Sequence, residues 1–407
     1  MNKTKNKKKK WVKKRHLFFT KVIGFFLKPY VELRYGLKIE RFKEQKKCPY
    51  LILMNHQTPF DQFFVGLTFK GAIYYIATED IFSNGFVSSL IRFLVEPIPI
   101  KKQTTDVSAI MNCLRVAREG GTIAMAPEGN RTFSGRTEYI NPAIVPLARK
   151  LKMPIALFRI EGGYGTEPRW SDVVRKGKMR TYVSEVIEPE AYASLTDDEL
   201  YHAIVDGLYV NEAVADAEFH HEKLAEYLER AIYVCPYCGL STFESHGKIV
   251  ECKKCGRKIE YLPNKELRGV GFDFPHKFVA DWYDAQNDFV NSFDPTAVTD
   301  EALYVDQAKM SEVIVYKKKE PMLDCVDLFL FGNRIEVKNN GESIFDFTFD
   351  DTSAVTVLGK NKLNVYFGGK IYQFKGSKRF NALKYVNIYN RYKNIMRGDY
   401  DGKYLGL

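Results

Sequence analysis

At 407 residues the chain is too long for one ordinary hydrophobic core, so two or three domains are expected. Its 45% hydrophobic and 14% aromatic residues exclude a disordered chain, and no run approaches the roughly 18 uncharged apolar residues that span a bilayer. The net charge of +11 sits in one arm: residues 1–31 hold eleven Lys and Arg and no Asp or Glu, leaving 50 basic against 50 acidic residues elsewhere.

The arm comes first. Its longest apolar run, 22–27, is bracketed by Lys21 and Lys28 and lacks a small-residue cleavage site, which argues against a secretory signal. Trp11, Val12, Phe18, Phe19, Val22, Phe25 and Phe26 recur at helical spacings with lysines between them. Such a helix is expected to lie in the interface of an anionic membrane, and Pro29 is expected to end it. A nucleic-acid arm is the competing reading, but phosphate-tracking tails rarely need large aromatics, so nucleic acid is the less favoured partner. Packing of the helix on its own domain is compatible with the membrane reading.

From residue 49 to about 190, short apolar runs alternate with helical segments. Strands are expected at 50–54, 72–77, 97–100, 122–126, 154–160 and 180–186, and helices at 60–69, 80–94, 104–118 and 142–152. This alternation predicts an α/β domain with a largely parallel central sheet flanked by helices. Residues 196–230 continue as helix, with Leu200, Ile204 and Leu208 on one stripe and Leu224 and Leu228 on a later one.

Four of the seven cysteines then form two knuckles, C-P-Y-C-G (Cys235, Cys238) and C-K-K-C-G (Cys252, Cys255), thirteen residues apart. Two C-x2-C turns aim four thiolates at one point and make a closed tetrahedral site for structural zinc, with a redox pair as the alternative. Cys48, Cys113 and Cys325 lie in apolar surroundings and read as core residues. Reduced cysteines point to the cytosol. A connector with a helix at 276–293 follows. Runs at 313–316, 327–331, 335–337, 344–349, 354–358, 363–367 and 371–374 are separated by Gly-Asn, Asn-Gly and Gly-Gly turns, and a helix at 377–395 closes the chain. These are signs of a β-meander. The expected domains are an arm (1–30), an α/β domain (31–230), a zinc ribbon (231–262), a helical connector (263–308) and a β-rich domain (309–407).

Two short stretches carry chemistry. M-N-H-Q-T-P-F-D (54–61) follows a strand of buried character, so His56 falls in a strand-to-helix loop, with Thr58 as helix cap and Asp61 in the first helical turn. Open α/β sheets place ligands at that edge. A plain helix cap at Thr58-x-x-Asp61 is the alternative. T-I-A-M-A-P-E-G-N-R-T (122–132) ends a second strand with a Pro-Glu-Gly turn and Arg131 beyond it.

Together N-H-Q-T-P-F-D and A-P-E-G-N-R-T, which begin 71 residues apart at Asn55 and Ala126, resemble the glycerol-phosphate acyltransferase superfamily. The resemblance is specifically to 1-acyl-glycerol-3-phosphate acyltransferases and covers roughly residues 30–190. It implies a membrane-associated enzyme moving an acyl chain from acyl-CoA or acyl-carrier protein to the hydroxyl of a lysophospholipid. His56 would take the hydroxyl proton and Asp61 would orient it. Arg131 and Lys101 or Lys102 would hold the acceptor phosphate, Gly129 would let the backbone approach, and Glu128 would bind the acceptor hydroxyl or brace Arg131. The chain departs from the family pattern in three places. Asn130 replaces Thr, Lys101 replaces Arg after Ile100, and I-N-P-A (140–143) lacks a basic residue. A non-phosphorylated alcohol acceptor, or a non-catalytic membrane or nucleic-acid binding protein on a degenerate fold, is the alternative. The seven strands closed by a helix resemble a pleckstrin-homology-like domain.

Overall fold

The computed structural model describes residues 10–83, 85–100, 106–314, 317, 319–402 and 404–406. The chain forms two compact units, each discontinuous in sequence. The first comprises Met1–Gly129, Ile140–Ile160 and Arg180–Tyr209, and the second Asn130–Tyr139, Glu161–Met179 and Val210–Leu407.

The first unit is built on a seven-stranded sheet. Its strands are β1 (Leu37–Ile39), β2 (Leu51–Met54), β3 (Ile73–Thr78), β4 (Ile98–Ile100), β5 (Thr122–Met125), β6 (Ile155–Glu161) and β7 (Met179–Ile187), in the order β1-β7-β6-β2-β5-β3-β4. Pairings β2–β5, β2–β6, β3–β5 and β3–β4 are parallel. Every residue of β2 is buried, as its unbroken L-I-L-M requires at the centre of a two-sided sheet. Helices α1 (Lys14–Tyr35), α2 (Asp61–Thr68), α3 (Phe86–Leu94), α4 (Val107–Arg118) and α5 (Ile144–Leu151) connect or cover the strands. Leu51, Leu53, Ile123, Ile155 and Leu157 share a core with Cys113 and Val116 of α4, Val145 and Ala148 of α5, and Leu200, Ile204 and Leu208 of the helix Asp197–Leu208. That last helix starts at a capping box between Thr196 and Glu199.

The topology positions the loops that matter. From β2 the chain passes through α2 to β3, beyond β5; from β5 it passes through α5 to β6, on the other side of β2. The connections of two adjacent parallel strands thus leave in opposite directions, which opens a crevice at their carboxyl ends.

Several local expectations are revised. α1 continues through Pro29 to Tyr35 and ends at Gly36 in the left-handed conformation (φ 57°). Pro29 costs one intrahelical bond but does not stop the helix, because packing of its last turn on α2, through Tyr35 against Phe60 and Phe64, holds the remainder. Residues 209–227 are not helical. Their backbone groups pair elsewhere, with an antiparallel bridge Lys176–His220 and a bond from Phe219 N–H to Pro263 O (2.8 Å). Leu224 is buried from this irregular chain and Leu228 from the 3-10 turn Leu228–Arg230 that follows it, so their spacing carried no α-helical information.

In the second unit, strands Phe243–His246, Ile249–Cys252, Lys258–Tyr261 and Leu267–Gly269 form an antiparallel sheet, followed by the helix Val279–Ser292. A further seven-stranded antiparallel sheet starts at Tyr304–Glu312, nine residues ahead of the expected first strand; Val313 and Ile314 are outside it, and residues 315 and 316 lie outside the described residues. That first strand pairs with both the second (Tyr304↔Leu330) and the last (Ala308↔Gly376). The helix Leu383–Met396 buries Leu383, Tyr385, Val386, Ile388 and Tyr389 in the same core as the sheet. The protein is therefore α/β with a parallel-rich sheet, followed by a cysteine cluster and a β-rich region ending in a helix.

Candidate active site

The parallel register of β2 on β5 aligns Leu53 with Met125. His56 and Glu128 each lie three residues further on, so two loops separated by 72 positions in sequence meet at the same level of the same sheet edge. The Glu128 carboxylate accepts from the His56 backbone N–H (2.8 Å). Asn55 fixes the loop from the other flank: its amide donates to Ile160 O and accepts from Ile160 N–H, both at 2.8 Å. A side-chain amide here imitates one more residue of strand pairing on β6. Sequence reasoning assigned Asn55 no role, although a polar residue directly after four core positions is the signal that pointed to it.

His56 Nδ1 lies 2.8 Å from Asp61 Oδ2. Asp61 is fully buried, and its carboxylate also accepts from the backbone of Gln57 (2.7 Å) and Thr58 (3.0 Å) and from the Thr58 hydroxyl (2.6 Å). Four donors compensate the cost of burying this charge. The expected Thr58 cap is not formed. α2 begins at Asp61, and Thr58 uses its hydroxyl on that carboxylate instead of on a helix N–H, accepting only from Phe60 N–H (3.1 Å). A carboxylate can only accept, so it holds the proton on Nδ1 and leaves Nε2 of the neutral ring as a lone-pair base. Nε2 has no partner among the described residues, and the side chain is about one-quarter exposed (24%). The arrangement is a supported base open to a proton donor.

Gly129 has φ +73°, and its N–H bonds to Ala126 O (3.0 Å), closing a tight turn after β5. Nothing lies within 4 Å of where a side chain would start, so backbone conformation and not crowding demands glycine there. Glu128 is buried and serves the His56 backbone. Arg131 belongs to the second unit, where its carbonyl accepts from Arg169 Nη1 (2.9 Å). Lys101 and Lys102 lie outside the described residues.

Residues 38–160 match the family model Acyltransferase. This segment is an acyltransferase domain. The chain is 23% identical over 195 residues to the 1-acyl-sn-glycerol-3-phosphate acyltransferase of Bacillus subtilis (strain 168), covering 47% of this chain and 93% of the relative. It is also similar to the crystal structure of the 1-acyl-sn-glycerophosphate (LPA) acyltransferase PlsC from Thermotoga maritima, at 17% identity and a TM-score of 0.37, covering 47% of this chain and 91% of that one.

Beyond the acyltransferase domain, the sulfurs of Cys235, Cys238, Cys252 and Cys255 all lie within 4.8 Å of one another. Two of the separations are 3.9 Å (Cys235–Cys255) and 3.6 Å (Cys238–Cys252). Bonds of about 2.3 Å at tetrahedral angles place sulfurs roughly 3.8 Å apart. All four are free thiols, so the donor set and its spacing fit a tetrahedral ion.

Proposed function

We propose that the protein transfers a fatty acyl chain from acyl-CoA or acyl-carrier protein to the free hydroxyl of a lysophospholipid, 1-acyl-glycerol-3-phosphate in particular. The observation that carries this reading is the His56 Nδ1–Asp61 contact of 2.8 Å on a fully buried carboxylate, inside an acyltransferase domain. His56 Nε2 takes the acceptor hydroxyl's proton as oxygen attacks the thioester carbonyl; the thiolate leaves, and the proton returns to it or to solvent. No serine or cysteine nucleophile is required, because the acyl group arrives activated. Asp61 holds the tautomer and stabilises the imidazolium, and Asn55 and Glu128 hold the loop that carries the ring. Arg131, with Lys101 or Lys102, meets the acceptor phosphate, and Gly129 supplies the tight turn between Glu128 and Arg131.

The same reading makes the enzyme peripheral on the inner face of the cell membrane. None of the described helices is long and apolar enough to cross a bilayer. α1 nevertheless exposes Phe25 (75%), Phe26 and Leu33 (89%), and α3 exposes Phe86 (81%), Val87 and Phe93, and the N-terminal sequence carries a run of lysines. Phe19 of α1 touches Phe93 of α3, with centroids 5.8 Å apart. An anionic leaflet suits both the charge and the apolar side chains. The four cysteines hold structural zinc, which as a closed site stabilises the ribbon and takes no part in the chemistry.

The acceptor assignment is tested by comparing a phosphorylated acceptor with its dephosphorylated analogue. Wild type should prefer the former, and Arg131→Ala should lower kcat/KM for it by one to two decades, roughly the 1.5–3 kcal/mol of a charge-assisted bond, and erase the preference. Equal use of both acceptors by wild type would point to a non-phosphorylated alcohol instead.

A further inference from the structure

Arg169 is among the largest fully buried side chains of the second unit, yet no carboxylate ion-pairs with it among the described residues. Its guanidinium lies over the Phe133 ring (4.1 Å to the centroid) and donates to Arg131 O through Nη1 (2.9 Å) and to Gly359 O through Nε (3.1 Å). Nη2 lies 3.4 Å from the side-chain oxygen of Asn130, one of the positions that depart from the family pattern. Burial, and then the neighbouring charge of Arg131, pull its pKa down to about 9, which leaves it charged at neutral pH. An apolar side chain of similar size could fill this space without desolvating a cation, but it would make none of these directed bonds. Those bonds join two segments more than 220 positions apart. One is the turn between strands Thr352–Leu358 and Lys362–Phe367, where Gly359 has φ +62°. Lys360 of the same turn reinforces the junction, donating to Ser171 O and lying 3.3 Å from Asp172 Oδ1.

We propose that Arg169 is a positioning residue for acceptor recognition: it ties the Arg131 carbonyl and the Asn130 side chain to the Gly359–Lys360 turn, so that the C-terminal β-rich region sets where the Arg131 guanidinium is held. The proposal rests on the reading of Arg131 as the phosphate-binding arginine. It assigns the C-terminal region a part in substrate specificity, and it accounts for Asn130, whose amide oxygen serves as the third acceptor.

Steady-state kinetics of the full chain with a phosphorylated acceptor and its dephosphorylated analogue make the test. Arg169→Met should raise KM for the phosphorylated acceptor roughly tenfold. kcat, and KM for the dephosphorylated analogue, should stay within about twofold, a split that general loosening of the fold would not produce. Arg169→Lys should recover part of the loss, since an ammonium reaches fewer of the three acceptors. Lys360→Ala should act in the same direction, at roughly threefold. An unchanged KM in folded Arg169→Met overturns the proposal. If that variant does not fold, an unchanged KM in Lys360→Ala overturns it. Arg131→Ala separates the two claims: a KM effect there without one at Arg169 or Lys360 removes only the positioning role, whereas no effect at Arg131 removes the acceptor reading and this inference with it.

Discussion

Asp61 shows how much of a candidate catalytic constellation five residues of spacing can carry. Its distance from His56 in sequence was readable as a pair at a strand end, but the direction of its carboxylate was not, because a helix cap and a histidine support call for the same residue types. Burial decides between them: the carboxylate turns back into the loop and gathers Gln57 N–H, Thr58 N–H, the Thr58 hydroxyl and the imidazole. Asp61→Asn should therefore lower kcat by roughly 10²–10⁴-fold, because an amide presents N–H groups to donors and no longer fixes the tautomer. A pre-steady-state measurement showing an unchanged acyl-transfer rate would contradict that role. Asn55 is the counterpart that pattern reading passed over. Asn55→Ala leaves Ile160 N–H and C=O without partners in the core, so it should cost about 2 kcal/mol in denaturant unfolding, with a loss of activity from the released loop. Full stability in that variant would show that the pair with Ile160 is dispensable. The role proposed for Arg131 rests only on its motif, since nothing local in G-N-R-T indicates the buried Arg169 that holds its carbonyl.

Among the elements, α1 departs most from what its pattern suggested. The aromatic spacing is satisfied twice over: one part of the arm is docked and another is exposed. Trp11 and Val12 donate their backbone N–H groups to Glu119 (2.6 and 2.8 Å), and buried His16 places Nδ1 3.0 Å from the Tyr74 hydroxyl. Phe18, Phe25, Phe26 and Leu33 remain exposed. Hydrophobic periodicity marks an apolar face but does not say whether protein or lipid covers it. Deleting residues 1–9 while substituting Phe25→Ser and Phe26→Ser should therefore release the protein from anionic vesicles without opening its core. Each Lys removed withdraws about 1 kcal/mol of attraction near such a surface, so binding should fall with salt. Equal binding to neutral and anionic vesicles would refute the electrostatic part. His16 adds a pH dependence. Burial lowers its pKa below 6.5, against a smaller opposing pull from Glu96, so below that value the unfolded arm binds the proton more readily than the docked one. Docking of α1 should weaken as pH falls through about 6.5, and His16→Gln should flatten that dependence in hydrogen exchange of the arm. An identical pH profile in the variant would assign the effect elsewhere.

Across the whole molecule, the alternation of strands and helices announced the α/β sheet, and the Gly-rich turns announced the β-rich region, because both are local patterns. The partition into compact units was not local. Residues 130–139 and 161–179 interrupt the first unit and pack with the second, where Phe133, Tyr164 and Trp170 enter its core. No periodicity in those segments distinguishes them from their neighbours, since the distinction lies in which distant residues they meet. The cysteine knuckles, by contrast, were fully written in their spacing. The purified protein should carry one zinc per chain, and a chelator should lower its melting temperature; metal-free protein with four reactive thiols and an unchanged melt would contradict a structural ion. The central claim, that His56 is the base for acyl transfer to a lysophospholipid, is tested most directly by single-turnover acylation of 1-acyl-glycerol-3-phosphate with saturating acyl donor, in wild type and in His56→Ala. Wild type should give acylated product, and the folded variant should react more slowly by two or more orders of magnitude. A near-normal rate in His56→Ala would contradict it.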